Sequence, residues 1–262
     1  MSRKQKTVLV VGATGSIGRL VVEEALNRRF TVRALIRDVV RAQNLPVEAQ
    51  RVVGNLTQAD SLKAVVQGVD AIVFTHGSDG GGKKGAEQVD YGAVRNILQA
   101  LGGRSVRIAL MTSIGTTNRD GAYNRSTEVH DWKRRGERLV RASGMHYTIV
   151  RPGWFDYNAK DQHRLVFLQG DKRRAGDPSD GVIARRQIAQ VLVDSLTSDA
   201  ADGKTFELVA ELGVAQENLD VLFKVLQRDL TKALDAVLDE PNMPLESEPA
   251  RVQSDYQRVL AA

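Results

Sequence analysis

The sequence predicts a doubly wound α/β protein, a mostly parallel sheet with helices on both faces, followed by a helical C-terminal extension. Three observations carry this. Short apolar runs at 8–11, 70–75, 106–112 and 146–150 recur between amphipathic stretches of helical length. The first run ends in a glycine-spaced turn that opens a helix over 19–28. Strand and helix patterns then alternate through residue 209, as parallel βαβ units require, and only the last stretch is purely helical.

The turn is Gly12-Ala13-Thr14-Gly15-Ser16-Ile17-Gly18. Gly12 permits the tight bend, Gly15 lets the backbone approach a pyrophosphate with no Cβ in the way, and Gly18 lets the helix pack against the strands. The first amides of the helix have no intrahelical acceptor and lie at the positive end of its dipole. All seven residues are therefore the expected phosphate cradle of a Rossmann-type dinucleotide domain. The spacing is G-x-x-G-x-x-G, so the strand before the turn and the helix and strand Thr31–Ile36 after it make the reading specific.

Arg37 follows that strand, 19 residues beyond Gly18. An arginine there accommodates the 2′-phosphate of NADP, whereas a carboxylate would bind the ribose of NAD. NADP(H) is thus the expected cofactor ahead of NAD(H). Arg41 adds a second positive charge, and the neighbouring Asp38 either caps the short helix that follows or, one residue out of register, meets the ribose itself. Residues 51–54 read as the third strand, ending at Asn55-Leu56, where Asn55 can accept a hydrogen bond from the adenine amine. Thr57 is expected to cap a helix over 58–67, with Asp60 in its first turn. Thr75 ends the fourth strand as a cofactor-lining position. The glycine-rich loop 76–85 after it is either a lid or a surface connection, with His76 at its base.

The formal charge is +5, from 37 Lys and Arg against 32 Asp and Glu, with a pI of about 9.5. That bias favours anionic ligands but is too dispersed to argue for nucleic acid. The basic runs Lys133-Arg134-Arg135, Lys172-Arg173-Arg174 and Arg185-Arg186 are expected on solvated helix faces or loop edges. No cysteine is present, which excludes disulfides and thiolate chemistry, and the four histidines lack metal-ligand spacing, so no metal is expected. No stretch is long and apolar enough to span a membrane, and the basic residues 1–6 are not a signal peptide; a cytoplasmic protein is expected.

With Gly12 to Gly18, Arg37-Asp38, Gly54-Asn55-Leu56, Met111-Thr112-Ser113 and the run Ser143-Gly144-Met145-His146-Tyr147-Thr148-Ile149-Val150-Arg151-Pro152-Gly153 in order, the chain resembles the short-chain dehydrogenase/reductase superfamily. The match is to its atypical NAD(P)H-binding branch, which includes NmrA-like and flavin/biliverdin-reductase-like proteins, and it covers about the first 210 residues. Val182-Ile183-Ala184-Arg185-Arg186-Gln187-Ile188-Ala189 looks like the family's late strand-to-helix signature. The resemblance places the Arg151-Pro152-Gly153 turn, and so Pro152, beside the nicotinamide. It also implies that Ser113 polarises the acceptor and that Lys133 holds the cofactor ribose. The superfamily's tyrosine acid, four residues before that lysine, is here Val129.

His130, one turn from Lys133 on the same face of a helix expected over 126–142, is the candidate replacement acid; Tyr123 and Tyr157 are further candidates from loops. Two functions follow. One is a reductase passing hydride from NADPH to a small-molecule acceptor such as a flavin, quinone or tetrapyrrole, with the proton taken from solvent. The other is a non-catalytic NADP(H) sensor acting through a protein partner, as NmrA-like regulators do. A dinucleotide-dependent epimerase is disfavoured by the missing tyrosine.

The dinucleotide domain is assigned to 1–215, with a substrate region at about 154–186, and the extension to 216–262. In the extension, Leu219, Leu222, Phe223, Leu226, Leu230, Leu234, Val237 and Leu238 recur at three- and four-residue steps, predicting an amphipathic helix over 217–238. Its stripe, through Leu222, Leu226 and Leu230, must be covered by the protein's own core, by a homodimer partner or by another protein. Pro241, Pro244 and Pro249 break it, and a last short helix is expected over 252–261.

Overall fold

The computed structural model describes residues 5–78 and 80–262. Asp79 of the glycine-rich loop and the first four residues of the basic N-terminus lie outside the described residues. In chain order the elements begin β1 (Thr7–Val11), α1 (Gly18–Asn27), β2 (Thr31–Ile36), β3 (Gln50–Val53), α2 (Ala59–Leu62) and β4 (Ala71–Phe74). Next come α3 (Gly82–Gly85), a π-helical stretch Ala86–Tyr91, α4 (Gly92–Leu101), β5 (Arg107–Met111), α5 (Ala122–Thr127) and α6 (Val129–Ala142). β6 (His146–Pro152), β7 (Trp154–Phe155), β8 (Arg164–Leu168), β9 (Val182–Ile183), α7 (Arg185–Ser195), β10 (Lys204–Glu211), α8 (Asp220–Val225) and α9 (Ala250–Leu260) complete the chain.

The strands form one sheet in the order β3-β2-β1-β4-β5-β6-β10-β9-β7, with β8 also paired to β10. From β3 to β10 every pairing is parallel, while β8 and β9 run antiparallel to β10. Side chains along a strand alternate in direction, so β1 feeds both layers: Val8 and Val10 join a core with α1 and α7, and Leu9 and Val11 join one with α4 and α6. Both faces are covered, which is why the central strands are apolar throughout. The order reverses between β1 and β4, and ligand crevices in such sheets open there, beyond the carboxyl ends of the strands. Among the described residues no helix is long and apolar enough to cross a membrane, and no group of His, Asp and Glu could hold a metal ion.

Four expectations about elements are corrected. The helix expected over 58–67 is regular only at Ala59–Leu62, and Thr57 does not cap it; its hydroxyl instead donates to Asn55 Oδ1 (2.9 Å). The helix expected over 126–142 is two, because Glu128 sits in the left-handed region (φ 58°) between α5 and α6. The Lys133-Arg134-Arg135 run is not a solvated face: Arg134 and Arg135 are buried, as are Arg138 and Arg141.

The fourth correction explains the third. The helix over 217–238 stops at Val225, where Leu226 turns extended, and Lys232 and Leu238 adopt positive φ. Leu226 is buried and Leu222 packs against the core, but Leu230 is exposed. The segment gives up helical hydrogen bonds to deliver its carboxylates to α6. Asp235 binds Arg134 and Arg138 (both 2.9 Å), Glu248 binds Arg135 (2.7 Å) and Arg138 (3.0 Å), and Asp229 meets Arg141 (3.2 Å). A buried guanidinium without a partner is far costlier than a lost helical turn. The apolar period was a weaker constraint than this charge match. Residues 216–262 therefore run over both layers, Leu219 and Phe223 joining one core and Val252 and Tyr256 the other.

Candidate active site

The phosphate turn lies at the carboxyl end of β1. Gly12 has φ +86°, and a Cβ there would sit 2.8 Å from the amide nitrogen of His76; one on Gly18 would meet the carbonyl oxygen of Gly12 at 2.0 Å. These two glycines let the turn fold back on itself and press against the end of β4. Ala13, Ile17 and Gly18 are buried, whereas Thr14, Gly15 and Ser16 are exposed at the entrance to α1. Gly15 donates to the Gly12 carbonyl (2.9 Å), closing the turn. The tight cradle, with an exposed rim beside a helix start, fits a dinucleotide pyrophosphate.

At the end of β2, Arg37 is exposed, with no ion pair among the described residues. Asp38 accepts the amide of Val40 (2.8 Å), the first residue of the one-turn helix Val40–Ala42, although the N-cap position itself falls on Val39. Asn55 Oδ1, the oxygen expected to meet the adenine amine, accepts from both the amide (3.0 Å) and the hydroxyl of Thr57. Only its side-chain NH2 is left for a ligand. Leu56 packs its side chain against the core, and its carbonyl accepts from Asn96 (2.7 Å). Thr75 is buried, and its hydroxyl donates to the Val11 carbonyl (3.1 Å), tying β4 to β1 below the turn. Pro152 is buried at the end of β6, where its carbonyl accepts from Ile114 (3.0 Å) and holds the loop after Ser113.

Lys133, on α6, donates to Asp90 Oδ1 at 2.6 Å, and Asp90 Oδ2 accepts the amide of Ser78 (3.2 Å). Against the cost of its burial, Lys133 holds the Asp90 carboxyl below its ordinary range. An ammonium has three donors, so Lys133 keeps two for a ribose. Asp90 belongs to the π-helical stretch, a local widening that often marks functional sites. Sequence reasoning missed Asp90, although a signal existed: it shares a helical face with the apolar Val94, Ile97 and Leu101, and a carboxylate on such a stripe needs a cation.

Ser113 follows β5, and its Oγ is buried without a partner among the described residues. Its neighbour Thr112 is anchored from behind by a bond from its hydroxyl to Glu137 (2.7 Å). His130 is also short of a partner at Nδ1; its ring lies 5.4 Å from that of Tyr123, and burial lowers its pKa. His76 is similar, with Nε2 3.3 Å from the Asp90 carbonyl, Nδ1 unpaired and its pKa lowered by burial to about 4. Both rings are therefore neutral near pH 7. Val129, where the superfamily has its acid, is buried and cannot exchange a proton.

A buried acid, Asp171, shapes the loop after Ser113, accepting the amides of Gly115 (2.7 Å) and Thr117 (2.6 Å). The second residue that sequence reasoning missed is Arg185. Expected on a solvated edge, it reaches back to the phosphate turn, its Nε 3.1 Å from Ser16 Oγ.

A strand, a glycine turn with an exposed rim at a helix start, and a lysine beside the adjacent strand ends together define a dinucleotide-binding protein. Residues 12–199 match the family model described as NAD(P)H-binding, and the chain belongs to that family. Sanguinarine reductase from Eschscholzia californica is 26% identical over 265 residues, spanning 85% of this chain and 96% of its own. Protein TIC 62 from Oryza sativa subsp. japonica is 29% identical over 241 residues, spanning 80% of this chain but 47% of that protein. Among solved structures, an oxidoreductase from Lactococcus lactis superposes with a TM-score of 0.68 over 86% of this chain and all of its own, at 17% identity. At that identity the likeness is one of fold.

Proposed function

We propose that the protein is an NADPH-dependent reductase that passes hydride to a small planar acceptor, such as a flavin or quinone, without a tyrosine acid. The observation that carries this is the pairing of a retained ribose-binding lysine, Lys133 on Asp90, with an apolar, buried Val129 in the acid position. Acceptors whose reduced form takes its proton from water need no such acid. The bound cofactor supplies the hydride at its nicotinamide ring. The chain's own residues bind and orient: the glycine turn takes the pyrophosphate, Arg37 the 2′-phosphate, and Lys133 the ribose. Ser113 Oγ supplies a hydrogen bond to the acceptor oxygen. Sanguinarine reductase, similar over nearly its whole length, supports the reductase reading by its name.

NADPH consumption with a panel of flavins and quinones, compared with NADH, tests the proposal. Turnover of at least one acceptor, faster with NADPH, is expected. Tight NADPH binding with no acceptor consumed would favour a sensor acting through a protein partner.

A further inference from the structure

Arg185 is the first residue of α7, and it is held on three sides. Asp156 accepts the Arg185 amide at 3.0 Å through one carboxylate oxygen and pairs with the guanidinium through the other. The guanidinium carbon lies 5.2 Å from the centre of the Phe155 ring. Nε donates to Ser16 Oγ at 3.1 Å. Ser16 is on the exposed rim of the glycine turn, so the packing of α7 on α1 carries a fixed cation to the place where the turn would receive two phosphates. The side chain is one-third exposed, and its five N–H groups exceed the bonds it makes.

We propose that Arg185 is a pyrophosphate clamp, a second anion-binding element that closes the phosphate turn from the opposite side, with Asp156 and Phe155 as its positioning residues. This rests on the NAD(P)H-binding reading of the turn. A guanidinium fork matches two phosphate oxygens at once, whereas backbone amides offer single donors, so the two elements complement one another. Holding the fork in place beforehand removes most of the rotamer entropy that an arginine would otherwise lose on binding. Arg37 and Arg185 then divide the recognition: one senses the 2′-phosphate that separates the two cofactors, the other the diphosphate they share.

Calorimetric titration of Arg185→Gln with NADPH, NADH and adenosine 2′-monophosphate tests this, with no acceptor present. The dissociation constants of NADPH and NADH should both rise about tenfold, while that of adenosine 2′-monophosphate, which lacks the diphosphate, stays within about twofold. Arg185→Lys, which keeps the charge and loses the fork, should fall between, and it serves as the test if the glutamine variant does not fold. Unchanged affinity for both dinucleotides would overturn the clamp, as would a loss confined to NADPH. Since binding is read without turnover, a protein that reduces nothing yet loses both cofactors on substitution would retain the clamp while rejecting the reductase.

Discussion

Arg151 and Asp239 face each other through two hydrogen bonds of 2.9 and 2.7 Å, both wholly buried, so the last residues of β6 before the site are bolted to the C-terminal segment. Arg151 also binds Glu137 (3.0 and 2.7 Å), which in turn anchors Thr112, the neighbour of Ser113. The tail thus supports the site from beneath, through side chains that never touch a ligand.

Asp239→Asn should cost about 3 kcal/mol, the low end for removing one charge from a buried pair, because Glu137 remains with Arg151. Urea unfolding measures it. A shift below about 0.5 kcal/mol, the scale of ordinary surface substitutions, would mean that the pair contributes little. Deleting 216–262 takes a carboxylate partner from five buried arginines at once, Arg134, Arg135, Arg138, Arg141 and Arg151, and should give insoluble or unfolded protein, not merely a changed oligomer.

Stability should depend on pH in two opposite ways. Against the cost of burial, arginines hold Glu137 (by Arg151) and Asp235 (by Arg138 and Arg134) down to about 2. Their folded values lie below the ordinary 4.5 and 3.8, so this stability is complete above about pH 4.5 and is lost as pH falls toward 2. Glu207 goes the other way: burial, with Arg151 already committed to two other carboxylates, raises it to about 8. Its contribution is complete below about 4.5 and is lost as pH rises through 8. Thermal unfolding should therefore peak near pH 5, and Glu207→Gln, which cannot ionise, should flatten the alkaline limb alone. An unchanged alkaline slope in that variant would assign the effect elsewhere.

Most of the sheet was legible because burial on both faces forces apolar runs and the glycine turn leaves little choice after β1. The α6 arginines were not, since a basic run on a helix has the same pattern whether water or a carboxylate surrounds it. Their period was a sign in retrospect: Arg134, Arg138 and Arg141 lie on one face, and Asp229, Asp235, Asp239 and Glu248 follow in a segment with matching opposite charge. The leucine spacing of the tail predicted a helix because period alone carries no information about which residues the core must neutralise. Asp90 and Arg185 act across 43 and 169 positions of sequence, and such pairings appear only when the fold brings them together.

Arg37→Ala should weaken NADPH binding by one to two powers of ten, from a charge-assisted contact of roughly 1.5–3 kcal/mol, and leave NADH nearly unchanged. The difference should shrink in high salt, because the side chain is exposed. Equal losses for both cofactors, or a wild type that prefers NADH, would place the ribose against Asp38 instead.

His130→Ala should leave acceptor turnover within a few-fold. Burial keeps the ring neutral near pH 7, and a neutral imidazole is a weak acid. A fall of about 10²–10⁴, the usual effect of removing a general acid, would show that this histidine protonates the acceptor in place of the missing tyrosine.

In a reductase of the proposed kind the bound cofactor gives its hydride to an acceptor directly. NADPH carrying deuterium at the transferable C4 position, on whichever face is active, should be consumed one-for-one with a quinone or flavin in a single turnover. The primary isotope effect should appear on that step, and no deuterium should be lost from the cofactor in the acceptor's absence. Complete retention of the label with every acceptor, from a protein shown to bind NADPH, would reject the reductase and leave a protein that holds the cofactor without using it.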